Sequence, residues 1–212
     1  MHPLVQQLFG AAAITLGVGL VWRFAARRRS LPCPAWLGWL LENPYMDTVA
    51  GSSLLVERLD LAPGMRVLDV GCGPGRLALP VAERIGPEGE VVALDTSAEM
   101  LSRLEERRLA RGLSNVRAVR AKIEEGPITR DYFDRALLVT VLGEIPDRDG
   151  ALAAIYAALK PGGLLSVTEV LPDPHYQRLA LVRHLAEAAG FSYQAVLGGG
   201  LAYTANFAKP VG

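Results

Sequence analysis

The chain is predicted to be an α/β protein: a seven-stranded, mostly parallel sheet with helices on both faces, preceded by one transmembrane helix. Three observations predict it. From Gly51 onward, short apolar and β-branched runs alternate with longer helical patterns, as βαβ units do when a parallel sheet is covered on both faces. The last two strand-like runs are separated only by Gly198-Gly199-Gly200. That is too short for a crossover, so they form a hairpin and one of them runs antiparallel. Before Gly51 the composition changes, and Leu4 to Trp22 contains no formal charge.

These features divide the chain into residues 1–30, an anchor with a basic flank; 31–50, a juxtamembrane segment; and 51–212, the α/β domain. Leu4–Trp22 is nineteen residues long; as a helix it measures ~28 Å, close to the ~30 Å hydrocarbon core of a bilayer. Arg23, Arg27, Arg28 and Arg29 follow the run, and only His2 and the amino terminus precede it. A cleaved signal peptide carries its positive charge in front. The positive-inside rule sets the arginines, and the domain after them, on the cytoplasmic side. A buried N-terminal helix of the globular domain is the alternative. Trp36 and Trp39 in the next segment suit either the headgroup level or packing on the domain.

Within the domain, strand-like runs lie at Arg66–Val70, Glu90–Asp95, Val116–Arg120, Phe133–Thr140, Gly163–Val170, Phe191–Leu197 and Leu201–Ala208. Helical patterns lie at Arg76–Ile85, Ala98–Arg111, Arg148–Leu159 and Tyr176–Ala189. Ligands of such a sheet bind beyond the carboxyl ends of the strands. The first strand ends in Asp69-Val-Gly-Cys-Gly-Pro-Gly75, a G-x-G-x-G loop opening a helix. Arg76 stands where the dinucleotide pattern needs its third glycine, and no phosphate-loop G-K-[ST] is present. The second strand ends in Asp95, twenty residues beyond Gly75. A carboxylate there can accept from both hydroxyls of a ribose, and the role of helix N-cap falls more naturally to Ser97.

Composition excludes several classes. Lys+Arg and Asp+Glu are both 22, so no excess of cations suits the chain to nucleic acid. Half of the residues are apolar, which excludes intrinsic disorder. Two cysteines, Cys33 and Cys72, and three histidines are too few for a disulfide framework and poor material for a structural zinc site; no metal is expected. No G-x-S-x-G elbow or H-E-x-x-H motif occurs.

Val67-Leu-Asp-Val-Gly-Cys-Gly-Pro-Gly75, Val92-Ala-Leu-Asp-Thr-Ser-Ala-Glu-Met-Leu101 and Leu159-Lys-Pro-Gly-Gly163 together resemble the class I S-adenosylmethionine-dependent methyltransferases. The flavour is that of the quinone-biosynthesis and related small-molecule enzymes, and the resemblance covers about residues 50–208. It implies a Rossmann-like sheet of order 3-2-1-4-5-7-6 and S-adenosyl-L-methionine as cofactor. It implies that the methionine moiety lies over Gly71, Gly73 and Gly75 with Asp69 nearby, and that Asp95 takes the ribose. Thr96 and Met100 would flank the adenine, Lys122 and Ile123 would meet its edge, and Thr140 would be a further cofactor-binding residue. Many relatives carry aspartate at the position of Lys122, and a lysine cannot accept from the adenine amino group. That contact is then lost or falls to a neighbour such as Glu124.

On the acceptor side, Glu144 follows the fourth strand and His175 the fifth; Tyr45, before the domain, is a candidate to close over the cofactor. A general-base role suits Glu144 or His175, and a solvated turn carboxylate and a solvated loop histidine are the plain alternatives. His184, between Leu181 and Leu185, reads as structural. Cys72 reads as a small filler. The sequence thus leads to a membrane-anchored methyltransferase acting on a lipid or other hydrophobic small molecule. A soluble acceptor and a non-catalytic cofactor-binding module are the alternatives.

Overall fold

The computed structural model describes residues 50–125, 128–171 and 173–211. Its strands are β1 (Arg66–Val70), β2 (Glu90–Asp95), β3 (Val116–Arg120), β4 (Phe133–Val139), β5 (Leu159–Val170), β6 (Ser192–Gly199) and β7 (Ala202–Ala208). Its helices are α1 (Ser52–Arg58), α2 (Ala78–Ile85), α3 (Ala98–Ala110), α4 (Arg148–Ala158) and α5 (Leu179–Ala188). The strands form one sheet in the order β3-β2-β1-β4-β5-β7-β6. All pairings are parallel except those of β7 with β5 and β6. The resemblance implied this order, and the chain has it.

Alternation along the central strands builds two cores, one on each face of the sheet. Val67, Val91 and Ala93 turn to the face covered by α1, α2 and α3, against Leu55, Leu79 and Leu104. Leu68, Val70 and Val92 turn to the other, against Leu152, Ile155 and Val182 of α4 and α5. Leu68 is fully buried, and shortening such a side chain to alanine costs ~2–5 kcal/mol. Ser97 caps α3 by accepting from the Met100 N–H, and Asp147 caps α4 by accepting from the Gly150 N–H. Each satisfies an orphan donor of a first helical turn.

Helix α1 was not anticipated. It begins without a side-chain cap and is fixed from afar: the Arg135 guanidinium donates to Leu59 O and Asp60 O, and Arg58 donates to Thr204 Oγ1. Helix α2 starts at Ala78 rather than Arg76, because the Arg76 guanidinium turns back to donate to Ala50 O. Helix α5 starts at Leu179 rather than Tyr176, since Arg178 is extended. His184 is exposed rather than packed, because α5 buries Val182 and Ala186 instead of Leu181 and Leu185. Among the described residues no helix is long and apolar enough to cross a membrane. The expected span at 1–30, the interfacial segment up to Val49 and Tyr45 lie outside the described residues.

Candidate active site

The parallel strands end together on one rim of the sheet, and there the chain after β1 turns sharply. Gly71 N–H and Cys72 N–H both donate to Leu94 O of β2, at 2.7 and 3.1 Å. Gly71 has φ +72°, and a Cβ there would lie 2.5 Å from Val141. Only glycine lets the loop after β4 close over the loop after β1. Gly73 differs: at φ +53°, a Cβ on it would meet nothing within 4 Å. The backbone at Gly73 therefore borders open space.

Two carboxylates stand on either side of this loop. Asp95, at the tip of β2, accepts from Gly73 N–H (2.9 Å) with Oδ2 and from Ser97 N–H (2.8 Å) with Oδ1. These bonds fix the carboxylate, and each oxygen keeps acceptor capacity for a further donor. Asp69 is 4% exposed. It accepts from the Ala78 N–H at the head of α2, and its Oδ2 has no hydrogen-bond partner among the described residues. Burial, and secondarily the Asp95 carboxylate, push its pKa up to about 7 against the opposing pull of Arg76 and the Ala78 N–H. An orphaned buried acceptor is costly and calls for an explanation. Cys72 is buried within the loop; burial pushes its thiol up, which leaves it inert as expected of a filler.

The remaining residues expected to hold cofactor surround the same loop. Thr96 is exposed, and its carbonyl accepts from Arg120 Nε at 3.2 Å. Met100 is buried in the first turn of α3. Ile123 is buried after β3, and Lys122 turns outward to pair with Glu125 at 2.6 Å. Thr140, just past the end of β4, has φ +57°, a conformation that non-glycine residues adopt at a cost of ~1–3 kcal/mol. It is held there by its N–H donating to Thr168 O and its hydroxyl donating to Val139 O.

The two acceptor-side loops meet. Gly143 packs so tightly on the His175 carbonyl that no Cβ fits, and Arg148 donates to Leu142 O and Gly143 O. Glu144 is half-buried in the turn after β4. His175 is 2% exposed rather than solvated. Its N–H donates to Asp173 Oδ1, and its carbonyl accepts from Gln177 Nε2. Beneath them lies Glu169, 1% exposed at the end of β5, a residue without a role in the sequence-based reading. Its Oε2 accepts from Gln177 N–H, and its Oε1 has no hydrogen-bond partner among the described residues. Burial above all raises its pKa to about 8, the Gln177 N–H and Arg148 opposing, Asp173 and Glu144 adding. Tyr203 covers it from β7, donating to Gln177 O. No local pattern marks Glu169 as buried. Among the described residues no cluster suits a metal ion.

Residues 61–197 match a family described as methyltransferase domain. The chain belongs to that methyltransferase-domain family. Its cofactor is S-adenosylmethionine, and the residues present fit that group. Asp69 offers an unused buried acceptor suited to a cation, Gly73 borders open space, and Asp95 is a fixed acceptor for vicinal hydroxyls. This methyltransferase domain is 36% identical over 110 residues to the demethylmenaquinone methyltransferase of Geobacillus kaustophilus, covering 52% of this chain and 47% of that protein. It is 38% identical over 108 residues to a ubiquinone/menaquinone biosynthesis C-methyltransferase of Vibrio campbellii, covering 50% and 42%. The match thus spans about half the length of these curated relatives. A methyltransferase from Aquifex aeolicus superposes with a TM-score of 0.77 at 21% identity, over 84% of this chain and 100% of that one. The [4+2]-cyclase SpnF superposes at 0.69 with 23% identity, over 76% and 80%. The latter two likenesses establish the fold alone.

Proposed function

We propose that the protein transfers a methyl group from S-adenosylmethionine to a hydrophobic small molecule held at a membrane, in particular a reduced quinone ring bearing an apolar tail. The observation that carries the reading is the pairing of the buried, half-unused Asp69 with the twice-anchored Asp95 across an open glycine loop. The acceptor class follows the two quinone-pathway relatives. The cytoplasmic-side membrane anchor follows the uncharged run Leu4–Trp22 and the arginines behind it.

When bound, S-adenosylmethionine supplies a methyl group already activated on a sulfonium. The chain's own work is to position partners and manage charge. Asp95 would hold the ribose hydroxyls, and Asp69 would supply negative charge to the cationic methionine end. Gly71, Gly73 and Gly75 let the backbone approach, while Thr140, Met100, Thr96 and the backbone of Lys122 and Ile123 bound the rest of the ligand. Glu144, half-buried on the same rim, is our candidate for taking the acceptor's proton. His175 supports the acceptor loop from behind, and Tyr45 is the candidate to close over the cofactor.

Incubating the full chain with methyl-labelled S-adenosylmethionine and membranes of its own host, then partitioning the products, tests this. Label in the organic phase supports a hydrophobic acceptor. Label confined to the aqueous phase refutes it in favour of a soluble one.

A further inference from the structure

We propose that the β6–β7 hairpin docks on the surface of an anionic lipid bilayer and so turns the cofactor rim toward the membrane. This rests on the membrane-held acceptor proposed above. From Phe191 to Ala208 the chain carries no Asp, Glu, Lys or Arg, yet β6 is an edge strand whose outer side no described residue covers. Natural edges in water are guarded by charge or proline. Here the exposed large apolar side chains are Leu201 (56%), Val196 (38%) and Leu197 (37%).

The tip lies on the functional rim. Val170, which ends β5, pairs with Ala202, which begins β7. Because β5 runs parallel to β4, and β4 to β1, this end of the hairpin rises beside the end that bears Gly71–Gly75. Cations flank the apolar tip. Arg58 donates to Thr204 Oγ1 at 2.7 Å, its guanidinium stands 3.4 Å from where a Gly198 Cβ would be, and no carboxylate pairs with it among the described residues. Arg178 is exposed at the head of α5, next to the Gln177 carbonyl that Tyr203 of β7 holds. Apolar side chains flanked by two arginines complement an interface of acyl chains and anionic headgroups.

The first described residue lies at the same rim: Ala50 O accepts from Arg76 Nη1 at 2.8 Å, one residue beyond Gly75. The 27 residues from Arg23 to Val49 span at most ~95 Å, which keeps the rim within reach of a bilayer holding Leu4–Trp22. Extension of the sheet by a second copy is the less suited occupant. The register shift between Tyr193 and Ala195 bulges the edge, and such bulges turn an edge away from pairing.

The test places a fluorescent label on a cysteine introduced at position 201 (L201C) or, as control, at 109 (L109C), in the full chain carrying C33S, where the one remaining thiol, Cys72, is buried. Leu109 is 67% exposed, near the end of α3 far from the rim. The protein is reconstituted in phosphatidylcholine–phosphatidylglycerol vesicles with and without brominated acyl chains. Interfacial burial of ~5–10 Å brings the label at 201 into contact with bromine, so about half or more of its emission is lost while the label at 109 is unaffected. A second variant, L197E/L201E, is expected to remove the dependence of turnover on anionic lipid while leaving S-adenosylmethionine affinity unchanged. Vesicle-bound protein with both labels equally unquenched overturns the docking and leaves the anchor standing. Protein that fails to float with the vesicles overturns the anchor reading and the docking together. Cross-linking between copies through a cysteine at 196 (V196C) without lipid overturns it in favour of a dimer seam.

Discussion

Asp69 makes the affinity for S-adenosylmethionine depend on pH in a range where ordinary carboxylates are silent. Its pKa in the ligand-free protein is about 7, and the ligand brings positive charge to the neighbourhood of its orphaned oxygen. Binding therefore requires the ionised form. With that pKa the ionised fraction rises from ~0.03 at pH 5.5 to ~0.5 at pH 7, so affinity tightens about fifteenfold, or ~1.6 kcal/mol. Calorimetric titration with S-adenosylhomocysteine, which keeps the ammonium but lacks the sulfonium, and with S-adenosylmethionine measures this directly. Asp69→Asn, close in volume, removes the slope and weakens binding at pH 7, while the ligand-free variant gains stability at neutral pH. A wild-type affinity flat from pH 5.5 to 7, or an Asp69→Asn protein that keeps the slope, refutes the reasoning.

The other predictions concern the frame of the site. Asp95→Ala is expected to abolish S-adenosylmethionine binding by calorimetry with an unchanged circular dichroism spectrum, since Asp95 holds the loop only through Gly73 and Ser97 N–H groups. Gly71→Ala is expected to destabilise the fold in thermal melts, because Val141 occupies the Cβ position; Gly73→Ala, whose Cβ meets open space, is expected to remain folded but lose ligand affinity. Glu169, with its pKa raised to about 8, favours the folded state most when protonated. Its contribution is full below pH ~4.5 and declines as pH rises toward 8, by a few kcal/mol; in thermal melts Glu169→Gln should flatten that decline. Thr140→Gly relieves a left-handed φ and is expected to raise the melting temperature by a few degrees, ~1 kcal/mol.

What was legible in the sequence is what is written locally. Val67-Leu68-Asp69-Val70 followed by Gly71, Gly73 and Gly75 states a buried strand, a tight turn and a carboxylate in nine residues. Strand β1, Asp69 and the glycine loop accordingly lie where they were expected. The end of β2 at Asp95 was legible, and so was Ser97 as the cap of α3. Helix α1 was not, because its support comes from Arg135, 76 residues from Leu59, and from Thr204, 146 residues from Arg58. On α5, Leu181 and Leu185 offered a helical stripe, but the buried stripe is Val182 and Ala186, one residue along. His184 was misplaced with it. The burial of Glu169 and His175 depends on Gln177, Tyr203 and the close approach at Gly143, all settled by tertiary packing. Thr140 was expected at the cofactor side, but its positive φ has no marker in a residue type that normally avoids it.

The most direct test of the whole account supplies a defined acceptor. Purified full chain, S-adenosylmethionine and a reduced, prenyl-tailed benzoquinone or naphthoquinone lacking one ring methyl are incubated in phosphatidylglycerol-containing vesicles, and the lipid extract is read by mass spectrometry. The account predicts a quinone heavier by one methyl in place of a hydrogen, formed with stoichiometric S-adenosylhomocysteine and absent with Asp95→Ala. Bound cofactor with no methylated quinone, and label passing instead to a water-soluble molecule from the host, would contradict it.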